Sequence, residues 1–260
     1  RGCVANGIDE KAANSIYDSM VDFAKYAFNK SHAAAYAVVS YQTAWLKYYY
    51  PVEYMAALMT SVIDNPGKVA EYIYSCRQMG IKILPPDINH GYSSFSVDNG
   101  SIRYGLAAIK SIGRPVIKEI VAERKANGEF KNLKDFIERM SGKDINKRTI
   151  ENFIKSGAFD ELGGTRKQFM VIYVQILDQV NREKKNSMTG QMSLFDIVGE
   201  EQKSEFDIPL PNVGEYEKST KLAFEKEVLG IYLSGHPMEE YEEQWRKGIS
   251  KTTQDFQFDE

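Results

Sequence analysis

The sequence is short of the residues that staple, ligate or span. Its 260 residues include two cysteines, Cys3 and Cys76, and three histidines, His32, His90 and His236. Two thiols cannot make a disulfide framework, so stability must come from a hydrophobic core, and a reducing, cytoplasmic compartment fits. The same scarcity excludes a zinc ribbon, which needs four ligands at fixed spacing. No uncharged apolar run reaches the roughly 20 residues of a membrane span, so no membrane partner is expected. The chain opens on Arg1-Gly2-Cys3 rather than Met and has no signal-peptide pattern, so a preceding segment is expected. Catalytic signatures are missing too. There is no Gly-x-x-x-x-Gly-Lys-Ser/Thr loop, no Gly-x-Gly-x-x-Gly after a strand and no Gly-x-Ser-x-Gly elbow. Glu225 and Glu227 stand two apart on a predicted helix, point to different faces and cannot share a metal.

What is present is a globular composition, 43% hydrophobic and 27% charged, with a net charge of −3. That small number hides an asymmetry. Residues 101–190 carry 18 Lys+Arg against 11 Asp+Glu, net +7, and residues 191–260 carry 7 against 16, net −9. A basic block beside an acidic one suggests a polyanion-binding middle.

Periodicity predicts a mainly α chain with a small β-hairpin or extended region. Ala12, Ile16, Met20, Phe23 and Ala27 recur at helical steps over residues 9–27. Ala33 to Tyr50 is a second helix, apolar on most sides, so burial between neighbours is expected. Helices over 52–63 and 68–79 follow, the last closed by Gly80. Residues 81–87 read as extended, and Asp98-Asn99-Gly100 as a hairpin turn. From 106 to about 185 the chain reads as helical, from 186 to 214 as a polar linker, and from 215 to 233 as helix again, with a short acidic helix to about 247.

Four stretches could carry chemistry. Asn29-Lys30-Ser31-His32 puts a cation, a hydroxyl and an imidazole at a helix mouth, where free amides suit a phosphate; equally, Ser31 is a plausible cap and His32 may simply pack. Ile109-Lys110-Ser111-Ile112-Gly113-Arg114, followed by Lys118, is a basic connection in which Gly113 permits a sharp turn and exposed amides can hold a DNA phosphate without reading sequence. Lys155-Ser156-Gly157, with Arg166 and Lys167 opening the next helix, repeats that pattern. The bland alternative for both is an ordinary helix–helix connection. Gln191-Met192-Ser193-Leu194-Phe195 is an apolar island in the linker, fit either to dock into a partner's pocket or to fold back on its own domain.

These stretches also carry a resemblance. Phe28 to Ala37, continuing through Ser40-Tyr41-Gln42-Thr43-Ala44-Trp45-Leu46-Lys47, resembles the C-family of bacterial replicative DNA polymerases, the polymerase III alpha subunits. So do Leu84 to Asn89, Tyr104 to Lys110, Ser156 to Asp160 and Leu229 to Pro237. The resemblance implies an α-helical fingers segment over 1–103 followed by a tandem helix-hairpin-helix region over 104–185. It makes 186–214 a linker carrying a clamp-binding motif, and 215–260 the end of the clamp-binding domain and the approach to an oligonucleotide-binding fold. It implies that Asn29, Lys30, Ser31 and His32 face an incoming deoxynucleoside triphosphate. It implies that Lys110, Ser111, Gly113, Arg114, Lys118, Lys155, Gly157, Arg166 and Lys167 grip duplex primer-template DNA. Gln191, Met192, Ser193, Leu194 and Phe195 resemble the motif that docks on the sliding clamp, the beta subunit, with Met192 where Leu is usual. Ser111 stands where the family usually has Gly. Other replisome subunits are implied partners. The catalytic aspartates and their Mg2+ belong to a palm that this piece lacks, so no metal or other cofactor is expected here, and the piece alone is expected to be inactive. The alternative is a stand-alone DNA- and clamp-binding adaptor.

Overall fold

A computed structural model describes residues 1–26, 30–188 and 208–250. The chain divides into two compact units, Arg1–Pro51 and Val52–Glu260.

The first unit holds α1 (Gly2–Ala5), α2 (Glu10–Tyr26) and α3 (Lys30–Tyr49). Asp9 starts α2: its Oδ2 accepts the Ala12 N–H at 3.1 Å. The expectation that α3 is buried fails. None of its residues is buried, and Tyr36, Tyr41, Trp45, Leu46 and Tyr48 all stand exposed. The apolar surface is there, as the composition requires, and the first unit by itself does not bury it. Helix α3 also begins three residues earlier than expected, so Ser31 lies inside its first turn rather than capping a start at Ala33.

The second unit begins with α4 (Pro51–Ser61) and α5 (Pro66–Gln78). Asn65 caps α5, its Oδ1 accepting the Lys68 N–H at 3.1 Å, and Pro66 supplies a first-turn residue with no amide to satisfy. Three short strands follow, β1 (Ile83–Leu84), β2 (Ser96–Asp98) and β3 (Ser101–Arg103). The sheet order is β1-β3-β2. Strand β3 lies parallel to β1, Ile102 opposite Ile83, and antiparallel to β2, Ile102 opposite Val97. Asn99 and Gly100 both have positive φ, 47° and 76°, as a tight Asn-Gly hairpin requires.

The predicted helical stretch after 106 is four helices. A single 3-10 turn over Leu106–Ala108 leads to α6 (Arg114–Asn127), α7 (Leu133–Met140), α8 (Lys147–Ser156) and α9 (Arg166–Met188). Asn132 and Asn146 cap α7 and α8 through the Asp135 and Thr149 N–H groups. Thr165 and Gln168 form a reciprocal box at the start of α9, each side chain taking the other's N–H. Beyond the linker come α10 (Lys218–Leu229), a 3-10 turn over Glu239–Tyr241 and α11 (Glu242–Gly248). Helix α10 stops short of the expected 233 because Gly230 turns left-handed, φ 77°.

One hydrophobic core runs through this unit. Phe136 is its hub: the rings of Phe130 and Phe159 meet it edge-on at 5.0 and 4.9 Å. Tyr104 packs on Phe95 at 4.9 Å, and burial raises its phenol well above the ordinary range. The buried Cys76 thiol is pushed up to about 11 by desolvation and stays protonated. Met55, Ile73 and Ile102 share this core with Ile120 and Phe153, so a division at 103/104 does not coincide with a physical boundary.

Within the core lies an ionic knot. Arg166 is 4% exposed and Glu225 1%. The guanidinium reaches Asp160 at 2.8 Å, Glu225 at 3.4 Å and the Lys155 carbonyl at 3.2 Å. Burial opposes the Arg166 charge, but Asp160 and Glu225 more than offset it and hold the group above its ordinary pKa. The other Glu225 oxygen accepts the Leu233 and Ser234 N–H groups, each at 2.9 Å. Glu225→Ala removes one partner and strands the rest, so it should destabilise the fold by about 3–5 kcal/mol. Urea unfolding of wild type and variant measures this, and a change below about 1 kcal/mol contradicts it.

Candidate nucleic-acid interface

The first basic turn is clamped from three sides. The Lys110 N–H donates to the Val228 carbonyl at 2.9 Å. Its carbonyl accepts from Asn152 Nδ2 at 2.8 Å, and its ammonium reaches the Glu227 carbonyl at 2.7 Å. The turn between the 3-10 segment and α6 is therefore held by α8 and the C-terminal end of α10. Its left-handed residue is Ser111, φ 64°. Gly113, expected to supply that freedom, has an ordinary extended backbone, φ −74°, and caps α6. The sharp turn is thus made two residues earlier, by a residue with a Cβ. Arg114 and Lys118 follow on α6, one helical turn apart and on one face. Both are exposed; Arg114 has only a 3.4 Å contact to Asp64, and among the described residues Lys118 has no ion pair.

The second turn is different. Gly157 ends α8 in the left-handed region, φ 84°, and a Cβ there would collide with the Arg166 guanidinium. Gly157 and Arg166 are therefore one packing unit, and Arg166 is corrected from a phosphate ligand to the centre of the ionic knot. Lys155 is also withdrawn. Only 13% of its side chain is exposed, and its ammonium bridges Glu151 at 2.9 Å and Glu227 at 2.8 Å. Burial works against that charge, but the two carboxylates outweigh it and raise its pKa. Lys167 is half-buried, its ammonium 5.9 Å above the Tyr216 ring. Lys110, Arg114, Lys118 and Lys167 remain as cations with an open side.

Glu227 and Asn152 organise this surface, and sequence reasoning missed both. Glu227 accepts Lys155 with its carboxylate and Lys110 with its carbonyl. Only the presence of an acid two residues from Glu225 hinted at it.

In the other unit, Lys30, Ser31 and His32 form the first turn of α3, where helical N–H groups have no intrahelical acceptor. The His32 ring packs on Tyr36 at 4.3 Å, so imidazole packing and an exposed cation coexist. Asn29 lies outside the described residues. So do Gln191, Met192, Ser193, Leu194 and Phe195. The magnesium implied for the intact enzyme finds no fit: among the described residues no group of three or more His, Cys, Asp or Glu could hold a metal ion. Among the same residues, no helix is long and apolar enough to cross a membrane.

Comparison with known proteins agrees with this geometry. A family model described as a helix-hairpin-helix motif matches residues 80–169, which takes in both turns and the small sheet. The chain is 43% identical over 241 residues to DNA polymerase III subunit alpha of Vibrio cholerae serotype O1, covering 92% of this chain and 21% of that protein. The same-named protein of Borreliella burgdorferi is 41% identical, with 93% and 21% covered. That of Escherichia coli K12 is 42% identical, with 92% and 21% covered. The resemblance read from the motifs is borne out along nearly the whole chain, which spans about a fifth of the length of these relatives.

The left-handed Ser111 gives a test of the first turn. A Cβ in that region costs roughly 1–2 kcal/mol, partly offset by the greater freedom of an unfolded glycine. Ser111→Gly should therefore stabilise the second unit by up to about 1 kcal/mol. A lowered unfolding midpoint in urea would show that the hydroxyl, not the backbone, decides at this position.

Proposed function

We propose that this chain is the part of a replicative DNA-directed DNA polymerase, akin to the polymerase III alpha subunits, that grips duplex primer-template and attaches the enzyme to its sliding clamp. The intact enzyme would add deoxynucleotides to a primer 3′ end. The observation that carries the reading is the pairing of extended similarity to these alpha subunits with a helix-hairpin-helix region in which Lys110, Arg114 and Lys118 stand open at one clamped turn. Lys30, Ser31 and His32 would lie on the side of the incoming nucleotide, a role supported by their place in the first turn of α3. Helical amides and a cation at such a position favour phosphate oxygens.

Duplex binding would be weak and indifferent to sequence, because amides and lysines at a turn meet phosphates rather than base edges. With Arg166 and Lys155 engaged internally, four cations are left. Neutralising about four phosphates gives a slope of log K against log salt near roughly −3.6. Glu227 works against this by placing a carboxylate on Lys155, beside the turn whose Lys110 its carbonyl holds. Glu227→Gln should tighten duplex binding by about two- to fivefold at low salt, since a nearby charge at surface dielectric is worth on the order of 1 kcal/mol or less. Fluorescence anisotropy with unrelated duplexes across a salt series reads both quantities. A flat salt dependence, or one strongly preferred sequence, would overturn the duplex reading.

Gln191 to Phe195 would dock on the clamp as an extended peptide, Gln191 at the rim and Leu194 and Phe195 in apolar pockets. Burying two such side chains is worth about 1.5–3 kcal/mol each. Leu194→Ala with Phe195→Ala should therefore weaken clamp binding at least about a hundredfold. Titration of purified clamp into both proteins decides it; equal affinities would make the pentapeptide an ordinary loop.

A further inference from the structure

The second unit carries a cleft that duplex binding does not use. Helix α5 contributes Pro66, Ala70, Ile73, Tyr74 and Arg77, a single helical stripe, and the opposite wall is Lys226 with the segment from Gly230 to His236. The space between is about 280 Å³. The walls are locked at its base: a Cβ on Gly230 would sit 2.9 Å from the Pro66 Cβ, and Gly230 is left-handed as well. The cleft is therefore built by backbone contact and does not depend on a ligand to open it.

Twelve residues line the cleft, none of them Asp or Glu, although the chain has 36 acidic residues against 33 Lys+Arg. The nearest carboxylate, Glu239 behind Gly235 and His236, is neutralised by Lys218 at 2.6 Å. Arg77 makes one long hydrogen bond, to the Leu233 carbonyl at 3.4 Å; its other donors have no partner among the described residues. Lys226 donates to the Gly230 carbonyl at 3.0 Å, with its remaining donors open, and sits 5.3 Å from the Tyr232 ring, which meets the His236 ring edge-on at 5.9 Å. His236 Nδ1 accepts the Met238 N–H at 3.1 Å, which leaves the ring proton on Nε2. The Gly67 amide, in the first turn of α5, adds the positive end of a helix. Against these donors stands Tyr74, a ring 59% exposed with no aromatic neighbour among the described residues. A flat apolar face beside cations fits a stacked base and its phosphate.

We propose that this cleft binds a nucleoside phosphate unit, taken as one link of a single nucleic-acid strand, with the base on Tyr74 and the phosphate between Arg77 and Lys226. This goes beyond the duplex grip and uses none of its residues.

The test uses the full chain with a fluorescein-labelled twelve-residue oligo(dT), an unrelated duplex, free dTMP and inorganic phosphate. Base–aromatic stacking is sequence-tolerant and substantial. Tyr74→Ala should therefore weaken oligo(dT) binding by about fivefold or more, leave duplex binding unchanged, and be rescued by Tyr74→Phe. Lys226→Gln, on the facing wall, should repeat the loss, and it carries the decision should Tyr74→Ala fail to fold. Displacement by millimolar dTMP assigns the site to the free unit as well as the strand; no displacement, with the variant losses intact, assigns it to the strand. Wild-type strand affinity in both variants overturns the proposal. So does equal loss of strand and duplex, or competition by inorganic phosphate as effective as that by dTMP. A failure of duplex binding alone would count against the hairpin reading and leave the cleft standing.

Discussion

The second unit depends on a guanidinium and a carboxylate that could not stay buried apart. Arg166 and Glu225 are both almost fully enclosed, and an unpaired charge there would cost several kcal/mol. Their meeting joins segments far apart in sequence: the turn after α8, the start of α9, the body of α10 and the loop at 233–234. A hydrophobic contact could slide by a few tenths of an ångström; this knot cannot, because each oxygen and nitrogen has an assigned partner. It fixes the position of α10, and with it the carbonyls of Glu227 and Val228 that hold the first basic turn. The basic turn is thus set by an ionic contact whose Arg166 and Glu225 are almost wholly enclosed.

That arrangement explains what could and could not be read from the residues alone. Local signals were legible where a single residue decides. Asn99-Gly100 required a hairpin and made one. The glycine after α5 marked a real end. The small sheet and the helical remainder followed from period. Signals failed where a distant partner decides. Arg166 looked like a surface cation because Gly-Gly-Thr-Arg-Lys reads as a solvated helix start, and nothing local reveals Glu225 waiting 59 residues on. Gly113 looked like the flexible point of its turn, yet the clamp on Lys110 forces the left-handed residue to be Ser111. The division at 103/104 is what the resemblance implies, whereas the core follows packing and runs across it.

The apolar face of α3 belongs to the same lesson. Its composition demanded cover, and the inference that it would be covered assumed that the chain supplies the cover. Tyr48 is 79% exposed and Tyr41 71%. A helix of this kind carries information about a neighbour rather than about itself: isolated exposed aromatics are ordinary, but a run of them around one helix is the composition of an interface. The sequence was read correctly for chemistry and incorrectly for geometry, since hydrophobic character specifies what a surface needs and not which residues provide it.

Three consecutive residues of α10 show how the fold separates functions by rotation alone. An α-helix turns about 100° per residue. Glu225 therefore faces the core and ties Arg166, Lys226 faces the cleft beside α5, and Glu227 faces the basic turn and pairs with Lys155. The two carboxylates noted in the sequence as too divergent to share a metal are divergent for this reason. A shift of α10 by one residue would put a lysine in the knot and a carboxylate in the cleft, and both sites would fail together. Register is held from each end, by Glu225 within the helix and by Gly230 against Pro66 beyond it. The knot and the cleft are consequently not independent features. A substitution that loosens Glu225 acts on the cleft and the basic turn alike, whereas Tyr74 lines the cleft and Glu227 the basic turn.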